Sequence, residues 1–196
     1  TRRPTRGALE GGPGSGRTRL LFHAAELAAR VAPNVRVLYG LCREGDGPSA
    51  AFSRILLERL GVTPSSSPSL VRAQIAMFVG EALESADALA IGETTHLLGT
   101  FAGVPFPDSP FLAGLDPLSG ELRKRQLGAL KRFFEGDAKK RPILFLLDNV
   151  HHAESGAWEI LETFLSAEAP IVTVLAGEPP TAERAEKLTA AGGVMT

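Results

Sequence analysis

The sequence predicts an α/β fold, a three-layer αβα sandwich around a mainly parallel sheet. Three observations carry that expectation. Strand-like and helix-like segments alternate along the chain, Pro and Gly punctuate the joins, and two strand segments, 143–147 and 171–175, are apolar throughout. Alternation of this kind implies crossover connections, hence parallel strands with helices on the faces, and an all-apolar strand reads as one covered on both sides. With 196 residues, 44% of them hydrophobic, the chain is long enough to bury a sizeable core.

The elements follow in order. Residues 7–10 form a short strand running into a Gly-rich stretch. Over 18–31, Leu20, Leu21, Ala24, Leu27, Ala28 and Val31 recur at helical spacing. Residues 35–40 are rich in β-branched and aromatic side chains and read as a strand; 50–60 is a helix with Phe52, Ile55, Leu56 and Leu60 on one face. A Pro/Ser-rich turn over 63–68 ends at Ser69, the expected N-cap of a helix over 70–83. Little more than a kink separates that helix from the next, over 87–101. Residues 103–111 are too Pro-rich for either regular element. A charged amphipathic helix over 121–134 turns Leu122, Leu127, Leu130, Phe133 and Phe134 inward. The apolar strand 143–147 is followed by a helix over 155–165, the apolar strand 171–175, and a last helix capped by Thr181 and running to Ala191. There is no internal repeat.

Composition narrows the function classes. Lys and Arg number 21 against 22 Asp and Glu, a formal net charge of -1, which excludes a disordered chain and gives no basic excess for general nucleic-acid binding. A single cysteine, Cys42, excludes an internal disulfide framework and a multi-thiolate zinc site. No apolar run approaches the roughly 20 residues of a membrane span, and no secretory leader is present, so the expectation is a cytoplasmic module without a membrane. The chain opens on Thr1 with no initiator Met, and a demanding motif begins ten residues in; it reads as a piece cut from a longer protein.

That motif is Gly11-Gly12-Pro13-Gly14-Ser15-Gly16-Arg17-Thr18, which fits the P-loop spacing of Gly, four residues, Gly, a basic residue and Ser/Thr. Glycines let the backbone wrap its N–H groups around a phosphate, the following helix aims its first N–H groups at the same anion, and Thr18 offers a hydroxyl to Mg²⁺. These residues and the adjacent Arg19 are the candidate nucleotide-binding set. Arg17 stands where Lys is expected, and its wide planar fork is not equivalent to a point-like ammonium. Taken alone, the pattern is also compatible with a Gly-rich turn. A second motif narrows the choice: the strand 143–147 runs straight into Asp148, an acid at the mouth of a buried strand, suited to hold Mg²⁺ with Thr18. By itself Asp148 also suits a turn or a helix N-cap.

Asp148-Asn149-Val150-His151-His152-Ala153-Glu154, followed by a helix, resembles the Walker B region of STAND-type ATPases, signal-transduction relatives of the AAA+ P-loop NTPases, in which the run is typically Asp-Asp-Leu-His-Trp-Ala-Asp. Asp148, His151 and Ala153 match; Val150 and Glu154 are conservative; Asn149 and His152 depart. The resemblance covers nearly the whole chain, including a helical insert at about 41–141. It implies an ASCE/AAA+-like P-loop NTPase fold with ATP or ADP and Mg²⁺ as cofactors, a role as a nucleotide-controlled switch inside a larger regulator, and a family lid and last sheet strand that this chain lacks. It further implies that the strand before the loop lies between the Asp148 strand and the neighbourhood of the 171–175 strand, bringing Thr18 close to Asp148.

Three departures bear on catalysis. The family's second acid, which polarises the attacking water, falls at Asn149, so that Asp148 and Asn149 are the candidate catalytic pair with one member unable to accept a proton. The basic sensor after the next strand falls near Gly177-Glu178, where the chain is acidic, and Arg17 replaces Lys. The expectation is a nucleotide-binding module with slow or lost hydrolysis, its partners being nucleotide and other domains or proteins. Two rivals stay open: an ATPase completed by a lid or partner chain, and a protein-interaction scaffold that binds no nucleotide. Elsewhere, His151 and His152 fit the loop better than a dedicated metal cluster; His96 reads as a satisfied, partly buried side chain; Cys42 reads as a small buried hydrophobe. The basic clusters 123–125 and 139–141 read as solvated helix ends. Phe106 and Phe111 in the Pro-rich segment suit either a docking surface or a loop packed over the core.

Overall fold

The structure, a computed structural model, describes residues 5–63, 65–84, 87–116 and 120–179. Strands β1 (Thr5–Glu10), β2 (Arg36–Leu41), β3 (Ile143–Asp148) and β4 (Ile171–Gly177) form one sheet in the order β1-β4-β3-β2, with every neighbouring pair parallel. Among the described residues six α-helices accompany them: α1 (Arg17–Val31), α2 (Ala50–Arg59), α3 (Pro68–Leu83), α4 (Ala88–Phe101), α5 (Gly120–Lys140) and α6 (Ser155–Leu165). The α/β class and the parallel sheet read from the alternation are what the chain forms.

Two compact units are present, Thr1–Phe52 with Arg141–Thr196, and Ser53–Lys140. In the first, Leu21 of α1 packs against Leu144, Leu146 and Ala176 on one face of the sheet, joined by Leu9, Val37 and Val174. The alternate residues of β3 point the other way, and there Phe145 stacks on Phe164 of α6 with ring centroids 4.9 Å apart and planes within 7°. All six residues of β3 are buried, as expected of a strand covered on both faces.

The order of the sheet corrects the expected one. The strand before the Gly-rich loop does not lie between β3 and β4; β4 separates it from β3. The reason is chemical. A central strand is screened on both edges and both faces, which suits the apolar β3 and β4; β1, in which no residue from Arg6 to Glu10 is fully buried, pairs with β4 alone among the described residues.

In the second unit α3, α4 and α5 pack on one another. Two boundaries differ from expectation. Ser67, not Ser69, caps α3: its hydroxyl accepts from the Leu70 N–H, and Pro68 takes the first helical position, where a missing N–H costs nothing. The helix expected over 121–134 continues to Lys140, and its buried positions after Phe134 are Asp137 and Ala138 rather than large apolar residues. Gly136 lies so close to the Ala82 carbonyl of α3 that a Cβ has no room, and the Asp137 carboxylate takes two hydrogen bonds from Arg59, at 2.7 and 2.6 Å. The Pro-rich segment is an ordered loop on α4. Phe106 stacks on His96 at 4.3 Å and Phe111 meets it edge-on at 5.2 Å, over Gly99 and Gly92 respectively. His96 Nδ1 shares a 2.6 Å hydrogen bond with Ser109 Oγ, so it is a satisfied side chain. Among the described residues no helix is long and apolar enough to cross a membrane. The helix expected from Thr181 to Ala191 lies outside the described residues.

Candidate functional site

The Gly-rich loop connects the C-terminal end of β1 to the first turn of α1. Gly14 and Gly16 take φ of 76° and 85°, a left-handed conformation that a side chain resists, and the Ser15 N–H closes the turn onto Gly12 O at 3.2 Å. Gly11 is held for a different reason: a Cβ there would stand 2.5 Å from Ser15 Oγ. Gly16 is the N-cap of α1 and makes no side-chain cap bond, and no acidic residue occupies the first turn. The first N–H groups of a helix have no acceptor within it, so this end of α1 presents donors and a positive dipole end to an anion. Pro13 and Ser15 are exposed at the tip of the loop, and Arg19 lines an open groove beside it with Ser15, Gly16, Phe22 and His23.

Arg17 does not reach into solvent. One guanidinium nitrogen donates to Gly11 O, and the other stands 3.4 Å from Glu178 Oε1, just beyond β4. The next residue, Thr18, donates its hydroxyl to Asp148 Oδ2 at 2.6 Å, a length typical of an O–H bond to a carboxylate. Thus the structure brings together the two residues that the sequence pairs as Mg²⁺ ligands.

Asp148 is 2% exposed, and burying a carboxylate is costly unless its oxygens are answered. Oδ2 accepts from Thr18 and, at 3.4 Å, from the Tyr39 hydroxyl; Oδ1 accepts the Asn149 N–H at 2.9 Å. Among the described residues no Lys or Arg pairs with it. A buried carboxylate answered by neutral donors, with a threonine hydroxyl against it, fits an oxygen-preferring divalent cation. Burial first, then the Asp148 charge and hydrogen bond, push the Tyr39 hydroxyl above its ordinary pKa, so that it stays a donor.

Asn149 follows with φ 54° and begins a short 3-10 turn, Val150–His152. Asn is among the few side-chain-bearing residues that adopt this conformation readily. The turn carries His151 to the end of β4, where its Nδ1 accepts the Glu178 N–H at 3.2 Å. That bond leaves the neutral ring's proton on Nε2, which is 4.0 Å from Glu178 Oε1. Burial, and then the neighbouring His152, lower the pKa of His151, so the ring favours its neutral form. The exit of the turn is fixed by the buried Trp158 indole, which donates to Ala153 O at 3.2 Å.

Sequence alone locates Asp148, Asn149, Thr18, Arg17 and the loop. It misses Tyr39, although the chain's single tyrosine lies near the end of a strand and the parallel register sets Leu41 of that strand beside Asp148. It also misses that Cys42, buried just past that strand, donates its backbone N–H to Asp148 O at 3.0 Å. Glu178 stands out in the sequence only as the wrong charge, not as the partner of Arg17. Among the described residues no group of three or more His, Cys, Asp or Glu side chains is arranged to hold a metal ion.

Compared with known families, residues 2–175 match the model of the AAA ATPase domain. Compared with curated proteins, the chain has no match.

Proposed function

The chain belongs to the AAA ATPase domain family, and from that membership together with the run Asp148-Asn149-Val150-His151-His152-Ala153-Glu154 we propose that it is the nucleotide-controlled switch module of a larger cytoplasmic signalling protein of the STAND type. It binds ATP or ADP with Mg²⁺ and hydrolyses weakly or not at all. The family makes it a P-loop NTPase module; the switch role and the weak hydrolysis are our reading. Its partners, on this reading, are nucleotide and the other domains or proteins that sense it, with no direct nucleic-acid contact.

One observation carries the proposal. Thr18 Oγ1 and Asp148 Oδ2 lie 2.6 Å apart at the exit of a loop whose glycines and helix end are shaped for phosphate. Both are oxygen ligands of the kind Mg²⁺ prefers, and the bound cation would offset phosphate charge. The backbone of Gly11 to Thr18 would hold the phosphates, and Asp148 would hold the cation with Thr18.

Weak turnover is supported by two neighbouring positions, Asn149 and Arg17. Asn149 has an amide where a general base is needed, and an amide does not take a proton from water at neutral pH. Arg17 is already engaged by Glu178 at 3.4 Å, so the site offers less positive charge to a transition state than a lysine with no acidic neighbour would.

The test is titration with fluorescent ATP and ADP, with and without Mg²⁺, alongside phosphate release. The expected result is saturable binding that Mg²⁺ strengthens, with release no faster than from Asp148→Ala. Brisk release that Asp148→Ala abolishes makes the chain an active ATPase instead. Absence of binding at millimolar ligand leaves only a scaffold.

A further inference from the structure

We infer that Glu178 is a specificity-determining residue, which tunes the loop to nucleoside diphosphates and against triphosphates; the inference rests on the nucleotide-binding reading above. It begins from how Arg17 is used. A P-loop divides its work between backbone N–H groups, which cradle the inner phosphates, and its basic side chain, which answers the outer ones. Here the two parts are in different states. The cradle is set by Gly14 and Gly16 and by the uncapped first turn of α1, none of which depends on Glu178. The basic side chain is only 11% exposed and is held at both ends of its fork, by Gly11 O and by Glu178 Oε1.

Glu178 is anchored as well. Its backbone N–H is tied to His151 Nδ1 at 3.2 Å, and His151 stands on the turn that follows Asp148. The backbone that carries the carboxylate is thereby tied to the turn that follows Asp148, and the carboxylate itself faces Arg17 at 3.4 Å and His151 Nε2 at 4.0 Å. A terminal phosphate has to draw Arg17 away from Glu178 and then share the mouth with two carboxylates, Asp148 and Glu178. Within the loop from Gly11 to Thr18, Arg17 is the one cationic side chain, and its charge is already offset. A diphosphate needs the cradle and the Thr18–Asp148 pair and leaves the Arg17–Glu178 contact in place. Arginine suits this arrangement better than lysine, because its planar fork can hold a carbonyl and a carboxylate at once.

The experiment is isothermal titration of the 196-residue chain with ADP and with ATP, in the presence of Mg²⁺, for the wild type and Glu178→Gln. The substitution is nearly isosteric and leaves the backbone bond to His151 in place. The wild type is expected to bind ADP at least about tenfold more tightly than ATP. In Glu178→Gln, ATP affinity rises by about tenfold while ADP affinity stays within about threefold, so the preference closes. Should that variant fail to fold, Arg17→Lys is the second probe, and it is expected to shift the balance toward ATP, since an ammonium can leave the carboxylate for the phosphate. Equal wild-type affinities, or a shift of both ligands by the same factor, overturn this inference alone. A wild type that binds neither ADP nor ATP overturns the nucleotide-binding reading and this inference with it.

Discussion

Thr18 Oγ1 donates to Asp148 Oδ2 across 2.6 Å, joining residues 130 positions apart at the ends of α1 and β3. If that pair is the cation site, its two halves respond differently to mutation. Thr18→Ala removes one donor to a buried carboxylate that keeps two others, so the expected loss of stability is modest, about 1–2 kcal/mol by chemical denaturation. Asp148→Asn keeps the shape and removes the charge. Both variants are expected to abolish the increment in nucleotide affinity that Mg²⁺ gives the wild type, measured as the ratio of dissociation constants with Mg²⁺ and with EDTA. A full increment in Asp148→Asn would show that the cation is held elsewhere.

Asn149 is the simplest site at which to restore chemistry. At φ 54° the backbone tolerates Asp nearly as well as Asn, whereas Glu would be strained. Asn149→Asp therefore installs a base at little conformational cost. Phosphate release is expected to rise by at least about tenfold, short of the full contribution of a general base because Arg17 remains paired with Glu178. An unchanged rate would place the bottleneck elsewhere than at this position.

Much of the site is legible in the sequence because its signals are local. The loop is a contiguous glycine pattern, Asp148 terminates an apolar run, and the departure at Asn149 is read by position. The long-range pairings are less legible. Which strand lies between β1 and β3 is set by pairing between segments far apart in the chain, which no local pattern records. Glu178 can be seen as an acid in an unusual place, but its partner, Arg17, lies 161 residues earlier and only folding shows the pair. The end of α5 is hidden because a glycine and an aspartate occupy inward positions that the apolar pattern treats as breaks. Ser67 and Ser69 are equally good caps on paper; Pro68 between them settles the matter.

Two glycines of α5 make a matched test of packing. A Cβ placed on Gly128 would meet nothing closer than Arg132 Nη1 at 4.0 Å, so Gly128→Ala gains helix propensity and is expected to stabilise by about 0.5–1 kcal/mol. At Gly136 the obstacle is the Ala82 carbonyl, which is backbone and cannot rotate away. Gly136→Ala gains the same propensity and meets an overpacking cost of about 1–3 kcal/mol or more, so the net change is destabilising. Urea midpoints that move in the same direction for both would contradict the close approach of α3 and α5.

Arg59 and Asp137 form a bidentate pair with side-chain exposures of 11% and 4%, and the guanidinium also lies 4.5 Å from the Phe78 ring centroid. Removing one member leaves the other charged and buried, so Asp137→Ala is expected to cost about 3–5 kcal/mol. Replacing both with apolar residues removes the stranded charge, and Arg59→Met with Asp137→Leu is expected to cost clearly less than the single change. A double variant as unstable as Asp137→Ala would mean that shape, not charge, governs this position.

His96 gives the protein a pH dependence whose sign follows from burial. Its ring lies between Phe106 and Phe111, with Nδ1 bonded to Ser109 Oγ, and burial lowers its pKa below the ordinary 6.5. The unfolded chain therefore binds a proton at a higher pH than the folded one. Stability from this residue is fully present above about pH 6.5 and is lost as the pH falls through the lower, folded value. His151, also lowered by burial, acts in the same direction. The melting temperature is thus expected to fall between about pH 7.5 and about pH 5.5. His96→Asn, which can keep a bond to Ser109 but cannot take up a proton in this range, is expected to melt lower than the wild type at the upper end and to lose less on acidification. A slope as steep as that of the wild type would show that the loop over α4 is indifferent to the charge of His96.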